Sequence, residues 1–273
     1  MKKKNSNKKV SNKVPIQKVV KKSSKTRVPT GISGFDKLIQ GGLPKNSSTL
    51  VVAGPGCGKT IFCMQYLYKG AKEFGEKGLY ITFEQTSSSI RQQARQFGWN
   101  FKELEKKGLI EIMSIPVTKL NKKTIKEIEE RVKEKGIKRL VIDSLSTLVI
   151  NAPIYVNTND MSMEDVVDDN VVLSPPVVGD YLIKKFVYSF VEKLRNFNTT
   201  TLLVGEADQE GATLTRDSLS EFACDGIISI TFESLGGEFS RSLIVRKMRH
   251  TNNNEDIHPM EIGKHGIVVH DVE

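Results

Sequence analysis

Leu50-Val51-Val52-Ala53-Gly54-Pro55-Gly56-Cys57-Gly58-Lys59-Thr60 decides the fold. Three apolar residues read as the end of a buried strand, three glycines and one proline follow in a tight turn, and a helix opens near Lys59. Glycines allow successive backbone N–H groups to turn inward, and such a nest cradles phosphate oxygens. The start of the helix adds its positive dipole end. In a loop of this pattern the Lys59 amine reaches the β- and γ-phosphates and the Thr60 hydroxyl joins a Mg²⁺ shell. The expected nucleotide contacts are therefore Ala53, Gly54, Pro55, Gly56, Cys57, Gly58, Lys59, Thr60 and Ile61. Ala53 stands where the pattern has its first glycine, and a small residue still fits there.

The 273 residues allow one large α/β domain, and an apolar content of 38% is enough for a substantial core. No apolar run approaches the roughly 20 residues a bilayer span needs, and the basic N-terminus lacks the apolar stretch of a secretory leader. Three unpaired cysteines, Cys57, Cys63 and Cys224, point to a reducing, cytoplasmic setting. The net charge of +9 is unevenly spread: residues 1–27 carry ten Lys, one Arg and no acid, and the remaining 30 basic and 32 acidic residues give −2. Residues 1–27 are expected to be a disordered basic tail, either a nonspecific tether to a polyanion or a solubilising extension.

From Val28 onward strands and helices alternate, which implies a mostly parallel sheet with helices on both faces. Strands are expected at 50–53, 79–84, 109–113, 139–143 and 200–204, with helices at 59–71, 87–97, 123–135 and 180–196. Four β-rich runs close the chain at 226–232, 242–247, 258–262 and 267–270. Residues 151–180 interrupt the pattern with three prolines, six acids and no base. A loop this long in a compact domain is usually functional, and it is the expected partner-specific element.

Two carboxylates belong with the phosphate loop. Val141-Ile142-Asp143 is an apolar strand that delivers Asp143 to its C-terminal edge, where ligands gather in parallel sheets. Asp143 is expected to hold Mg²⁺ with Thr60. Glu84 closes the strand after the phosphate-loop helix and is expected at the same edge, placed to accept a proton from an attacking water. The four histidines, His250, His258, His265 and His270, lack paired ligand spacing and read as strand and turn residues. Trp99 reads as a packing anchor.

Over about residues 28–273 the chain resembles the KaiC-like ATPases of the RecA superfamily. The resemblance is carried by Thr30-Gly31-Ile32-Ser33-Gly34-Phe35-Asp36, Gly41-Gly42-Leu43-Pro44, the phosphate loop, Phe83-Glu84-Gln85 and Phe97-Gly98-Trp99. It continues through Ile142-Asp143-Ser144, Glu221-Phe222-Ala223-Cys224-Asp225 and Lys247-Met248-Arg249. It implies a RecA-like P-loop fold with C-terminal hairpins, MgATP as ligand, a homo-oligomer that is a hexameric ring, and Glu84 as the water-activating residue. It also implies that Lys247 and Arg249 reach a neighbouring subunit's γ-phosphate. By spacing alone those two are alternate residues on one face of a strand end. Gln85 replaces the second glutamate of the usual pair, a loss expected to slow hydrolysis without weakening binding. Asn46 replaces a common glycine, and asparagine best tolerates left-handed geometry. Glu221-Phe222 occupies the place where clock members of the family carry phosphoacceptors, so a phosphorylation clock is not expected there.

Three functions remain open from sequence. The first is an ATP-hydrolysing oligomeric switch or regulatory subunit. The second is a DNA-binding recombination mediator of the RecA/Rad-like kind. The third is a scaffold that senses nucleotide without consuming it. The loops in which RecA-like recombinases contact DNA carry −6 at 151–180 and −4 at 206–222, the wrong sign for a phosphate backbone. The first function is therefore favoured.

Overall fold

A computed structural model describes residues 26–119, 122–151, 175–208, 214–235 and 238–272. The basic tail up to residue 25 and most of the acidic segment lie outside the described residues.

In chain order the strands are β1 (Arg27–Val28), β2 (Leu43–Pro44), β3 (Ser48–Ala53), β4 (Gly78–Thr82), β5 (Ile110–Ser114) and β6 (Arg139–Asp143). They continue as β7 (Thr200–Glu206), β8 (Gly226–Leu235), β9 (Glu238–Met248), β10 (His258–Gly263) and β11 (Gly266–Val269). The helices are α1 (Phe35–Leu38), α2 (Lys59–Lys69), α3 (Ser87–Gln96), α4 (Phe101–Lys106), α5 (Lys122–Lys135), α6 (Leu145–Ile150), α7 (Pro175–Arg195) and α8 (Ser220–Ala223). Among the described residues nine strands form one sheet in the order β11-β10-β9-β8-β3-β7-β6-β4-β5. The run from β8 to β5 is parallel, and β9, β10 and β11 add to it antiparallel. This is the RecA-like α/β architecture with C-terminal hairpins that the sequence predicts.

β3 is buried along its whole length because both sheet faces are covered. Val51 and Ala53 point into a core shared with Phe62, Tyr66 and Tyr80, whereas Leu50 and Val52 meet Leu79, Leu140 and Val187 on the other face. Trp99 is buried and stacks between Phe97, at 4.8 Å, and Tyr68, at 5.6 Å, as a packing anchor should. Asn46 takes φ +60°, the left-handed geometry inferred for it.

The Thr30–Asp36 stretch has a physical reason for its composition. Asp36 accepts hydrogen bonds from Thr30 N at 2.8 Å, Thr30 Oγ1 at 2.6 Å and Gly31 N at 3.0 Å, closing the segment into a ring. Gly34 (φ +81°) then passes so close to β11 that a Cβ would meet Val269 O at 1.7 Å.

Three boundaries differ from expectation. Arg27, assigned above to the tail, forms β1 and donates to Thr251 Oγ1 and the His250 carbonyl. The sequence places the acidic segment as far as residue 180, but α7 begins at Pro175. Proline suits a first helical turn, where no N–H is needed. The helix after the phosphate loop runs past Ala71 as a widened π turn over Gly70–Phe74. Against it packs Arg139, a fully buried side chain at the start of β6. Arg139 Nη1 donates to Tyr66 O at 3.0 Å and so enters the helix's own hydrogen-bond ladder. Any Cβ at Gly70 would lie 2.3 Å from Arg139 Nε.

Candidate functional site

The phosphate loop leaves the C-terminal end of β3 between β7 and β8, at the carboxyl edge of the parallel strands. Gly56 (φ +75°) and Gly58 (φ +108°) take backbone angles that side chains resist. At Gly58 a Cβ would also meet Ile262 Cδ1 at 2.8 Å, so β10 packs directly under the loop. The first bond of the α2 ladder runs from Phe62 N to Gly58 O at 2.9 Å, so the N–H groups of Lys59, Thr60 and Ile61 precede it. The residues assigned from sequence, Ala53 to Ile61, run without a break from the end of β3 into the first turn of α2.

Lys59 Nζ lies across the mouth of the cradle and donates to Ala53 O at 2.7 Å and Gly54 O at 2.8 Å. Burial lowers the pKa of this amine, against the opposing pull of Cys57, Glu206, Asp143 and Glu84. Exchanging those carbonyls for anionic phosphate oxygens would give the charge a stronger partner.

Asp143 ends β6, two strands from the loop, and its side chain is buried. Its Oδ2 accepts hydrogen bonds from Thr60 Oγ1 at 3.2 Å and from the Tyr80 hydroxyl at 2.5 Å. Burial pushes the carboxyl's pKa up, and the two hydroxyl donors work in the other direction. The hydroxyl of Thr60 and the carboxylate of Asp143 are hard oxygen donors brought together. That suits Mg²⁺, which typically takes one or two protein oxygens and completes its shell with phosphates and water.

Glu84 lies just past β4 and is solvent-exposed. Its Oε1 accepts from Ser144 Oγ at 2.7 Å and from Thr147 Oγ1. Ser144 also caps α6 by accepting from Thr147 N at 3.2 Å, so one short turn positions both donors. Gln85 faces away: its Oε1 accepts from Ser89 Oγ at 3.1 Å and Gln93 Nε2 at 2.6 Å, both on α3.

Lys247 and Arg249 are not in this group. Lys247 lies in the last two residues of β9 and Arg249 directly follows the strand, at the opposite, amino edge of the sheet, where Ile227 pairs with Lys247 and Thr49 with Gly226. Lys247 Nζ donates to the carbonyls of Cys224, at 2.8 Å, and Glu221, at 3.2 Å, at the end of α8. Burial and the neighbouring Arg249 lower its pKa. Arg249 Nη1 and Arg195 Nη2 each donate to Asp225 Oδ1 at 3.1 Å, and Asp225 Oδ2 accepts from Ser48 N at 3.0 Å.

Sequence reasoning missed Tyr80, Ser144 and Thr147. The last two carry a signal, since Ser144-Leu145-Ser146-Thr147 has the spacing of a helix cap. Tyr80 lies two residues before Thr82, which pairs with Asp143, so its face is fixed by strand alternation once the pairing is known.

The family model for the KaiC ATPase matches residues 28–159 and 154–273. The chain belongs to the KaiC ATPase family. A UPF0273 protein of Methanocaldococcus jannaschii is 31% identical over 260 residues, which cover 89% of this chain and 96% of that one. The circadian clock oscillator protein KaiC of Parasynechococcus marenigrum is 26% identical over 256 residues, 89% of this chain but 44% of the clock protein. A KaiC-like protein of Pyrococcus horikoshii has a solved structure that superposes with a TM-score of 0.72 at 33% identity, covering 90% of this chain and 99% of that one. As a KaiC-family member the chain is a nucleotide-binding protein of the ATPase class. Among the described residues no helix is long and apolar enough to cross a membrane.

Proposed function

We propose that this KaiC-family protein binds MgATP in the Ala53–Ile61 cradle and hydrolyses it slowly at contacts between copies of itself, as an oligomeric, ATP-dependent switch or regulatory subunit of the cytoplasm. The observation that carries the proposal is the split placement of its chemistry. Lys59, Thr60, Asp143 and Glu84 share one sheet edge, while Lys247 and Arg249 lie at the other.

In this reading Lys59 leaves the Ala53 and Gly54 carbonyls and meets the β- and γ-phosphates. Thr60 and Asp143 hold Mg²⁺, which when bound neutralises phosphate charge. Glu84, steadied at one oxygen by Ser144 and Thr147, orients the attacking water and takes its proton through the other. Lys247 and Arg249 act on the γ-phosphate of the adjacent copy, in a ring that the family resemblance makes hexameric.

The test is Mg²⁺-dependent ATP turnover as a function of protein concentration, with Lys59→Ala as the blank. Specific activity that rises with concentration and vanishes in the blank is the expected result. Nucleotide binding with no turnover at any concentration would leave a sensor in place of a hydrolase. Turnover independent of concentration would remove the shared site.

A further inference from the structure

We infer that Tyr80 is a positioning residue for the metal: its hydroxyl holds Oδ2 of Asp143 so that the carboxylate stays aimed at Mg²⁺ when Thr60 turns from Asp143 to the ion. The inference rests on the proposed role of Asp143 as the metal-side carboxylate.

Tyr80 lies in the middle of β4 with 0% of its surface exposed. A buried phenol needs a partner for its O–H, and the donor found is directed at one oxygen, Asp143 Oδ2, at 2.5 Å. The same oxygen accepts from Thr60 Oγ1 at 3.2 Å.

These two donors do not have equal futures. A P-loop threonine gives its hydroxyl oxygen to the metal, so its bond to Asp143 is the one that must be remade on loading. Tyr80 also shares a side-chain hydrogen bond with Thr60, but its own O–H is directed at Asp143 and its ring is fixed by the core around Val51, Phe62 and Val141. It is therefore the donor that persists. It offsets the cost of keeping a carboxylate buried at the end of β6 and restricts the rotation of that carboxylate. Hydrogen-bonded partners of metal ligands typically contribute about 10–100-fold to metal affinity or activity when removed.

The experiment follows binding of a fluorescent ATP analogue to the full-length protein while Mg²⁺ is titrated, and reads the half-saturating Mg²⁺. Tyr80→Phe removes one oxygen and keeps the ring. It is expected to raise half-saturating Mg²⁺ about tenfold and leave affinity for the analogue without metal unchanged. Asp143→Asn is expected to raise it as well, and adding Tyr80→Phe to Asp143→Asn is expected to raise it no further.

An unchanged metal requirement in Tyr80→Phe, with Asp143→Asn shifted, overturns the inference and leaves the role of Asp143 intact. An unchanged requirement in Asp143→Asn overturns both. The double variant, which carries no buried charge at position 143, checks that Tyr80 acts through Asp143. Metal affinity weaker than in Asp143→Asn alone would then show that Tyr80 acts through something other than Asp143.

Discussion

Two inactive variants should restore each other. Ile227 pairs with Leu50 on one side and with Lys247 on the other, and Ala53 lies three residues farther along β3. At about 3.3 Å per residue the phosphate loop stands about 10 Å up the sheet from Lys247. The Lys247 amine is turned further away, onto the Glu221 and Cys224 carbonyls. A single chain therefore cannot supply both halves of the proposed site. Lys59→Ala keeps the two cations and loses the loop, and the pair Lys247→Ala/Arg249→Ala does the reverse. Each should be nearly inert, since cations of the arginine-finger type contribute about 10³–10⁵ in rate. Mixed one to one and allowed to assemble at random, an interface receives an intact loop in half the cases and intact cations in half. About a quarter of interfaces are then complete, in a head-to-tail ring where each contact joins different surfaces. Phosphate release should recover to about a quarter of the wild-type rate per mole of chain. Labelled chains that co-assemble while the mixture stays as inert as its parents would refute the shared site. Substantial turnover by Lys247→Ala/Arg249→Ala alone would refute the role given to the cations.

Other perturbations follow from particular contacts. Glu76→Ala strands the buried Arg139 guanidinium, which Glu76 Oε2 holds at 2.7 Å, and should cost about 3–5 kcal/mol in denaturant unfolding. A loss below about 1 kcal/mol would mean that Tyr66 O and the Tyr66 and Phe74 rings already satisfy the charge. Gln65→Leu removes a two-way clasp, in which the amide nitrogen donates to Ile267 O at 3.1 Å and the amide oxygen accepts from Ile267 N at 2.6 Å. About 2–4 kcal/mol should be lost, and the β11 amides should exchange hydrogen faster while those of β3 keep their protection. Gln85→Glu should leave ATP turnover within about threefold of the parent, because that side chain is engaged with Ser89 and Gln93 on α3 and does not face the nucleotide cradle. A large gain in rate would show that it swings back toward Glu84.

How much of this was legible depends on how local each cause is. The strand–turn–helix at 50–60 could be read because its glycines, lysine and threonine act within a dozen residues, and the structure has β3, the turn and α2 over that stretch. The Thr30–Asp36 motif was recognised without its cause, since the need for Gly34 is set by β11, more than 230 residues later. Arg139 was read as the first residue of an apolar strand. Nothing nearby announces that its guanidinium crosses to Glu76 and Tyr66, beside the widened turn over Gly70–Phe74. Tyr80 escaped for the same reason: a tyrosine in a buried strand is ordinary, and only the pairing of β4 with β6 brings it to Asp143. Boundaries slipped where the expected signal was ambiguous. Pro175-Pro176 reads as a break inside a loop, and the same pair equally suits the first turn of a helix.

The split placement of charge follows from strand direction. β3, β4 and β6 run parallel, so the phosphate loop after Ala53, Glu84 just beyond β4 and Asp143 at the end of β6 arrive at one edge. β9 runs antiparallel to β8, so a residue at its end arrives at the other edge. Moving Lys247 and Arg249 to the nucleotide within one chain would require reversing β9, and β10 and β11 with it. These in turn support the loop through Ile262 beneath Gly58 and fasten to α2 through Gln65. The hairpins that buttress the cradle are therefore the same elements that carry the cations away from it. If those cations touch a phosphate, it belongs to another copy, whose carboxyl edge then meets the amino edge of this sheet. Made in one sense around a circle, such a contact closes into a ring; made reciprocally by two copies, it gives a two-fold dimer with two shared sites.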